Sequence, residues 1–346
     1  MGRSNVTDLS LTMNDNSNQL NGASKKTLRA YQLWLGLAVA ALILTYTVYV
    51  PNRKSGPVGS QSQYSLLNPS AALIEKKDLL VNFQSLRDRL TEKYERRDDY
   101  LVSLYFEYLP TGANVSINKD EKIWPASLIK IPVAMAAMKK VDTNAWKLDN
   151  QLVILDDDKD SEFGELYKQP TGTTMTIEEF LRESLVNSDN TAHFVLLRNL
   201  DGSELEDVYT HLGMDDIIDA LKQTPKGAEA DNRITAKRYS IFFRSLYNAT
   251  YLTPEYSNVF LNILKDASRE DLSAGLPSDV VFVHKTGIRI DERVWADSGI
   301  VYLPGRPYML TVMIQQKGDA ADGQAAVNRL FTDIAKEIYE YVAQAR

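Results

Sequence analysis

Between Leu79 and Tyr94, apolar residues recur at intervals of three and four (Leu79, Phe83, Leu86, Leu90, Tyr94), which predicts an amphipathic helix. Two strands are predicted next, Tyr100–Leu109 and Asn114–Asn118, joined by the turn Pro110-Thr111-Gly112. A helix then runs from Ser127 to about Val141. Its stretch Ile131-Pro132-Val133-Ala134-Met135-Ala136-Ala137-Met138 is apolar nearly all round, the mark of an interior helix. More helices follow between Ile177 and Tyr247. Strand patterns return at Val280–His284, Val294–Val301 and Tyr308–Ile314, the last two joined around Pro304-Gly305-Arg306. A closing helix places Val327, Phe331, Ile334, Ile338 and Tyr341 on one face. Both ends of this region therefore feed one five-stranded antiparallel sheet flanked by terminal helices, with an all-helical lobe inserted between the strands. The expected class is α+β, one domain with two lobes over residues 73–346.

Ahead of it, Tyr31 to Val50 carries no charge and is long enough to span a bilayer. Tyrosines at both ends and Trp34 suit the interfaces. A buried core helix is the bland alternative, but nothing adjacent could bury it. A cleaved signal peptide is the better rival; the preceding region is long for one and no small-x-small cleavage site follows. The expectation is an uncleaved anchor, with residues 1–30 a disordered cytoplasmic tail rich in Asn, Ser and Thr. Residues 51–72 form a flexible Gly/Ser/Gln/Pro linker. The protein is then single-pass in the cell membrane, with its globular domain extracytoplasmic.

Composition narrows the chemistry. A net charge of −7 over 346 residues, with no basic stripe, argues against nucleic acid as a partner. The absence of cysteine removes disulfides, thiolate catalysis and a cysteine zinc site. His193, His211 and His284 are scattered without metal-ligand spacing, so no metal and no cofactor is expected.

Three short patterns remain, in one order: Ser127-Leu128-Ile129-Lys130, Ser188-Asp189-Asn190 and Lys285-Thr286-Gly287. Ser127 falls at the first turn of the predicted interior helix, where free backbone N–H groups favour developing negative charge. Lys130, three residues on, shares its face. A desolvated lysine has a lowered pKa and can accept the serine proton. Ser188 can relay a proton to a leaving nitrogen, Asn190 can hold a substrate carbonyl, and Asp189 can pin the loop from inside. Lys285 and Thr286, at the end of a strand, can bind a carboxylate; Gly287 permits close approach, and the Ile288 N–H is a second oxyanion donor. Each pattern alone has an ordinary structural explanation: an N-cap serine with a surface lysine, an Asx cap, a strand entering a glycine turn. The chain even carries decoys. Ser116-Ile117-Asn118-Lys119 repeats the first pattern, Ser116 with Asn118 the second, and Lys54-Ser55-Gly56 imitates the third. Order, separation and context distinguish the first set.

On these residues, with Pro125-Ala126 before Ser127 and Ala274-Gly275-Leu276-Pro277 before the third motif, the region from about 75 to 346 resembles the penicillin-recognising serine enzymes, and among them class A β-lactamases. The resemblance implies acylation of Ser127, with Lys130 as base, Ser188 as proton relay, and Lys285 and Thr286 on the substrate carboxylate. One element departs. Class A β-lactamases carry E-x-x-L-N between the second and third motifs, whose glutamate activates the deacylating water. The corresponding stretch, Ile217–Arg233, is short and lacks it; Glu229, with Asn232 three residues later, is the nearest stand-in. The substrate is therefore expected to be a β-lactam or a D-alanyl cell-wall peptide. A D-alanyl-D-alanine-type peptidase with little β-lactam turnover, or a non-catalytic cell-wall scaffold, stands as the alternative.

Overall fold

The computed structural model describes Trp34 and residues 81–224, 231–318 and 323–345. The expected tail, the span 31–50 (Trp34 apart), the linker and Leu79 lie outside these residues. No helix among the described residues is long and apolar enough to cross a membrane.

In chain order the elements are α1 (Gln84–Tyr94), β1 (Tyr100–Tyr108), β2 (Ala113–Ile117), α2 (Lys130–Asp142), β3 (Gln151–Val153), β4 (Thr174–Thr176), α3 (Ile177–Leu185), α4 (Asn190–Arg198), α5 (Gly202–His211), α6 (Asp215–Gln223), α7 (Ala236–Asn248), α8 (Pro254–Leu264), β5 (Val281–Arg289), β6 (Val294–Tyr302), β7 (Tyr308–Gln316) and α9 (Gly323–Gln344). Five strands form one antiparallel sheet in the order β2-β1-β7-β6-β5, so the first and last parts of the domain meet at the β1–β7 pair. The expected α+β layout is present. The small β3–β4 ribbon was not anticipated, since three-residue strands leave almost no periodic signal.

Strand alternation divides two cores. On β7, Tyr308, Leu310, Val312 and Ile314 face α1 and α9, whereas Met309 and Met313 face the helical lobe. The terminal helices fully bury Leu86, Leu90, Val327, Phe331, Ile334 and Ile338 on the first face. Each such side chain stabilises the fold by roughly 1.5–3 kcal/mol relative to exposure. On the other face, α2 lies in the middle of the lobe with every residue from Lys130 to Met138 buried. The lobe is also fastened by charge: Arg244 of α7 donates to Glu107 of β1, which accepts from the Tyr105 hydroxyl at 2.8 Å.

Candidate active site

Ser127 sits where the sheet's β5 edge meets the lobe. It lies in a single 3-10 turn, Ala126–Ile129, rather than in the first α-helical turn, and the α-helix starts at Lys130. Ala126 adopts φ +50°, a left-handed conformation that costs a non-glycine residue energy and turns the chain sharply into the nucleophile. The turn is held from two sides. The Tyr239 hydroxyl donates to the Leu128 carbonyl at 2.9 Å, and Ile123 exchanges backbone hydrogen bonds with Ile234 at 3.1 and 3.0 Å.

Lys130 is 2% exposed. Its Nζ lies 3.1 Å from Ser127 Oγ, 2.6 Å from the Ser188 carbonyl, 3.2 Å from Ser188 Oγ and 2.6 Å from Asn190 Oδ1. An ammonium has three N–H groups and a neutral amine two, so four oxygens exceed its donors. The two hydroxyls can reverse their roles; the carbonyl and amide oxygens cannot. Burial drives the Lys130 pKa down to about 8, against the opposing charges of Asp189, Asp160 and Glu162. A neutral Lys130 is thus attainable, and it is placed to take the Ser127 proton. Ser188 Oγ is also 3.1 Å from the Nζ of Lys285, which donates to the Thr286 carbonyl at 2.8 Å as well. One hydroxyl therefore bridges two amines.

The second motif is a helix cap and a site element at once. Asp189 caps α4: its Oδ1 accepts from the Ala192 N–H at 2.8 Å, and its Oδ2 from Glu165 and Leu166 N–H at 2.7 and 2.9 Å. Gly164, at φ +96°, lies so close that a Cβ there would stand 2.0 Å from Asp189 Oδ2. Ser188 is itself at φ +56°. The Asn190 amide, expected to meet a substrate carbonyl, donates to Asp160 Oδ1 at 2.9 Å while its oxygen receives Lys130.

The third motif does not end its strand. Lys285, Thr286 and Gly287 lie inside β5, which continues to Arg289 paired with Val294. Glycine read as a terminator because a strand gains nothing from it; here it is required by proximity. A Cβ on Gly287 would come 2.9 Å from the Ser127 nitrogen and 3.1 Å from the Leu128 nitrogen. Lys285 is 1% exposed, and burial together with the Lys130 charge pushes its pKa down to about 7. His284 is equally buried, with Nδ1 2.9 Å from Asp297 Oδ1 and Nε2 3.1 Å from the Ser268 carbonyl. Asp271, at φ +50°, is raised to about 7 by burial and by Asp297.

Of the candidate residues, Ser127, Lys130, Asn190 and Ile288 line a cleft of about 330 Å³. A larger groove of about 860 Å³ lies between α1 and α9, but it is walled by paired surface charges such as Lys93 and Glu337. The smaller one is where the candidate residues lie. Trp124, Glu162, Phe163, His193 and Arg289 also line it, with no role there assigned from the sequence, and so does Asn232, the expected partner of Glu229. Only the pairing of Ile123 with Ile234 brings Asn232 to the cleft. Glu229, the expected stand-in base, lies outside the described residues.

Fold and cleft define an α+β serine-hydrolase architecture. The model of the β-lactamase enzyme family matches residues 85–342, and the chain belongs to that family. Among characterised relatives, β-lactamase VEB-1 of Pseudomonas aeruginosa is 23% identical, covering 66% of this chain and 80% of its own. A β-lactamase of Mycobacterium tuberculosis is 26% identical, covering 69% and 80%. Of solved structures, PBP-A superimposes with a TM-score of 0.66 at 23% identity over 75% of this chain and 97% of its own. A β-lactamase from Sphaerobacter thermophilus gives 0.65 at 22% identity over 76% and 98%. The chain is a serine β-lactamase-like hydrolase.

Proposed function

We propose that this protein is a membrane-anchored, extracytoplasmic enzyme that acylates Ser127 with the carbonyl of a β-lactam or a D-alanyl peptide. One observation carries the reading: the Lys130 amine reaches both Ser127 Oγ and Ser188 Oγ, and Ser188 in turn reaches Lys285. In the acylation step Ser127 Oγ attacks the carbonyl carbon and its proton passes to neutral Lys130. The resulting oxyanion is held by the Ser127 and Ile288 N–H groups. As the C–N bond breaks, the proton moves from Lys130 through the Ser188 hydroxyl to the leaving nitrogen. An acyl-serine and a free amine remain.

The two lysines act as a pair. Burial leaves too little solvation for two ammonium groups side by side, so their titrations are coupled. A substrate carboxylate beside Lys285 and Thr286 stabilises the charge on Lys285. That charge then favours the neutral form of Lys130, which is the form the base requires.

A peptidase-like reading has its own support. Among the described residues lining the cleft, the carboxylates Glu162 and Asp291 are exposed, and none is buried beside Ser127. Slow deacylation is the expected consequence. A single-residue mutant of PBP-A is known as an acyl-enzyme complex with penicillin G. A scaffold, by contrast, needs no nucleophile–base pair.

The test is incubation of the purified full-length chain, wild type and Ser127→Ala, with a fluorescent penicillin. Covalent label on the wild type alone is expected, and an unlabelled wild type overturns the enzyme reading. Label persisting for hours marks the peptidase, and rapid loss with hydrolysed drug in solution marks the lactamase. Location is tested separately: protease added to intact cells should degrade the domain, and its survival there would refute an extracytoplasmic placement.

A further inference from the structure

Asp160 does not line the cleft, but it holds a residue that does. Its Oδ1 accepts from Asn190 Nδ2 at 2.9 Å, while Asn190 Oδ1 accepts from Lys130 Nζ at 2.6 Å. The three side chains form a row of amine, amide and carboxylate. Asp160 is itself fixed twice. The same oxygen accepts the Glu162 N–H at 2.9 Å, and the Asp160 N–H donates to Thr191 Oγ1 at 3.1 Å. Thr191 is fully buried in the first turn of α4, directly after Asn190, so carboxylate and amide are anchored to one helix end.

The row matters because an amide has two unlike edges. Its oxygen accepts, its nitrogen donates, and a half-turn of the side chain exchanges them. A charged Lys130 selects the oxygen, since an ammonium only donates. A neutral Lys130, the form the base requires, carries a lone pair and can accept from the amide nitrogen as well. Its selection therefore weakens at the stage where the serine is deprotonated. A carboxylate only accepts, whatever the state of Lys130. Of the two neighbours, Asp160 alone specifies one amide orientation throughout. In that orientation one N–H is committed to Asp160, and the second is left for the cleft that Asn190 borders.

We infer that Asp160 is a positioning residue: it holds the Asn190 amide with its oxygen on Lys130 and its second N–H ready for a carbonyl oxygen of the substrate. This rests on the acylation reading above. The substrates it favours carry an amide carbonyl on the group next to the reacting carbonyl, as acylated penicillins and N-acylated D-alanyl peptides do. A substrate without that carbonyl gains nothing from the lock.

The experiment compares two compounds with one ring system: benzylpenicillin, which has that amide carbonyl, and 6-aminopenicillanic acid, which lacks it. Acylation rates of the full-length chain are read from competition with fluorescent penicillin. In Asp160→Ala the ratio of the two rates, benzylpenicillin over 6-aminopenicillanic acid, should fall about tenfold. Asp160→Asn, which keeps an accepting oxygen but adds a donor edge, should show a smaller fall of about threefold. Adding Asp160→Ala to Asn190→Ala should lower the ratio no further, because the effect passes through Asn190. An unchanged ratio in either Asp160 variant, with both rates intact or both slowed alike as a structural role would make them, overturns the positioning and leaves the acylation reading intact. So does a further fall in the double variant. A wild type that never labels overturns both readings.

Discussion

The chain writes S-x-x-K twice, eleven residues apart, and only one copy is buried against the second motif. Ser116 lies in β2, half-buried, and Lys119 follows it into solvent beside Asp120 at 3.8 Å. Ser127 lies in a 3-10 turn, and Lys130 opens an interior helix with its amine enclosed by four oxygens. The spacing is identical. What differs is the period of the backbone and the access of water. On a strand, residues three apart point to opposite faces, and an exposed ammonium stays hydrated and charged. On a helix they share a face, and burial makes the neutral amine accessible. Reactivity belongs to the environment that the fold imposes on the pattern.

The largest expected effect sets one serine against the other. Ser127→Ala should abolish covalent labelling by penicillin, and Ser116→Ala should leave it unchanged; label on Ser127→Ala would place the nucleophile elsewhere. Next come the lysines. Lys130→Ala should slow acylation by about 10²–10⁴-fold, the usual contribution of a positioned base, whereas Lys119→Ala should match wild type in stopped-flow acylation.

The pH dependence of stability sharpens the contrast further. Lys130 titrates at about 8 in the folded protein against 10.5 as the reference. Between those values the unfolded chain binds more protons, so stability must rise with pH across that window. Denaturant midpoints for the wild type should climb from about pH 7, where Lys285 begins to contribute, to 10.5. Lys130→Met should flatten the climb, leaving the part due to Lys285, and Lys119→Met should not alter it. An unaltered slope in Lys130→Met would show that burial does not set its titration. The smallest effect concerns the backbone. Asn118 and Ala126 both have positive φ, 48° and 50°. Asparagine tolerates that region and alanine does not. Ala126→Gly should therefore be stabilising by up to about 1 kcal/mol in urea melts, and Asn118→Gly close to neutral.

Much of the layout was legible because burial on both faces of the sheet leaves dense apolar strands, while the terminal helices carry a clean three-to-four spacing. The termination of β5 was not. Glycine and lysine read as an exit from a strand, and only the approach of the Ser127 turn explains why Gly287 sits within it. The second motif was legible as a cap, and Asp189 caps α4, while Ser188 and Asn190 contact Lys130. Asp160 and His193 were invisible as neighbours of the site. An aspartate in an acidic run and a lone histidine carry no periodic or spacing signal, and their positions depend on where distant segments pack.

The sequence by itself determined the elements, their order and the chemical types on offer, because these depend on local periodicity and residue identity. It also placed Ser127 and Lys130 within one helical turn of each other, a distance set by covalent geometry. Tertiary structure alone decided the rest. It joined Ser188 and Lys285 through a 3.1 Å contact across 97 positions and desolvated both lysines. Solvation and long-range distance are properties of the packed molecule, and no local pattern encodes them.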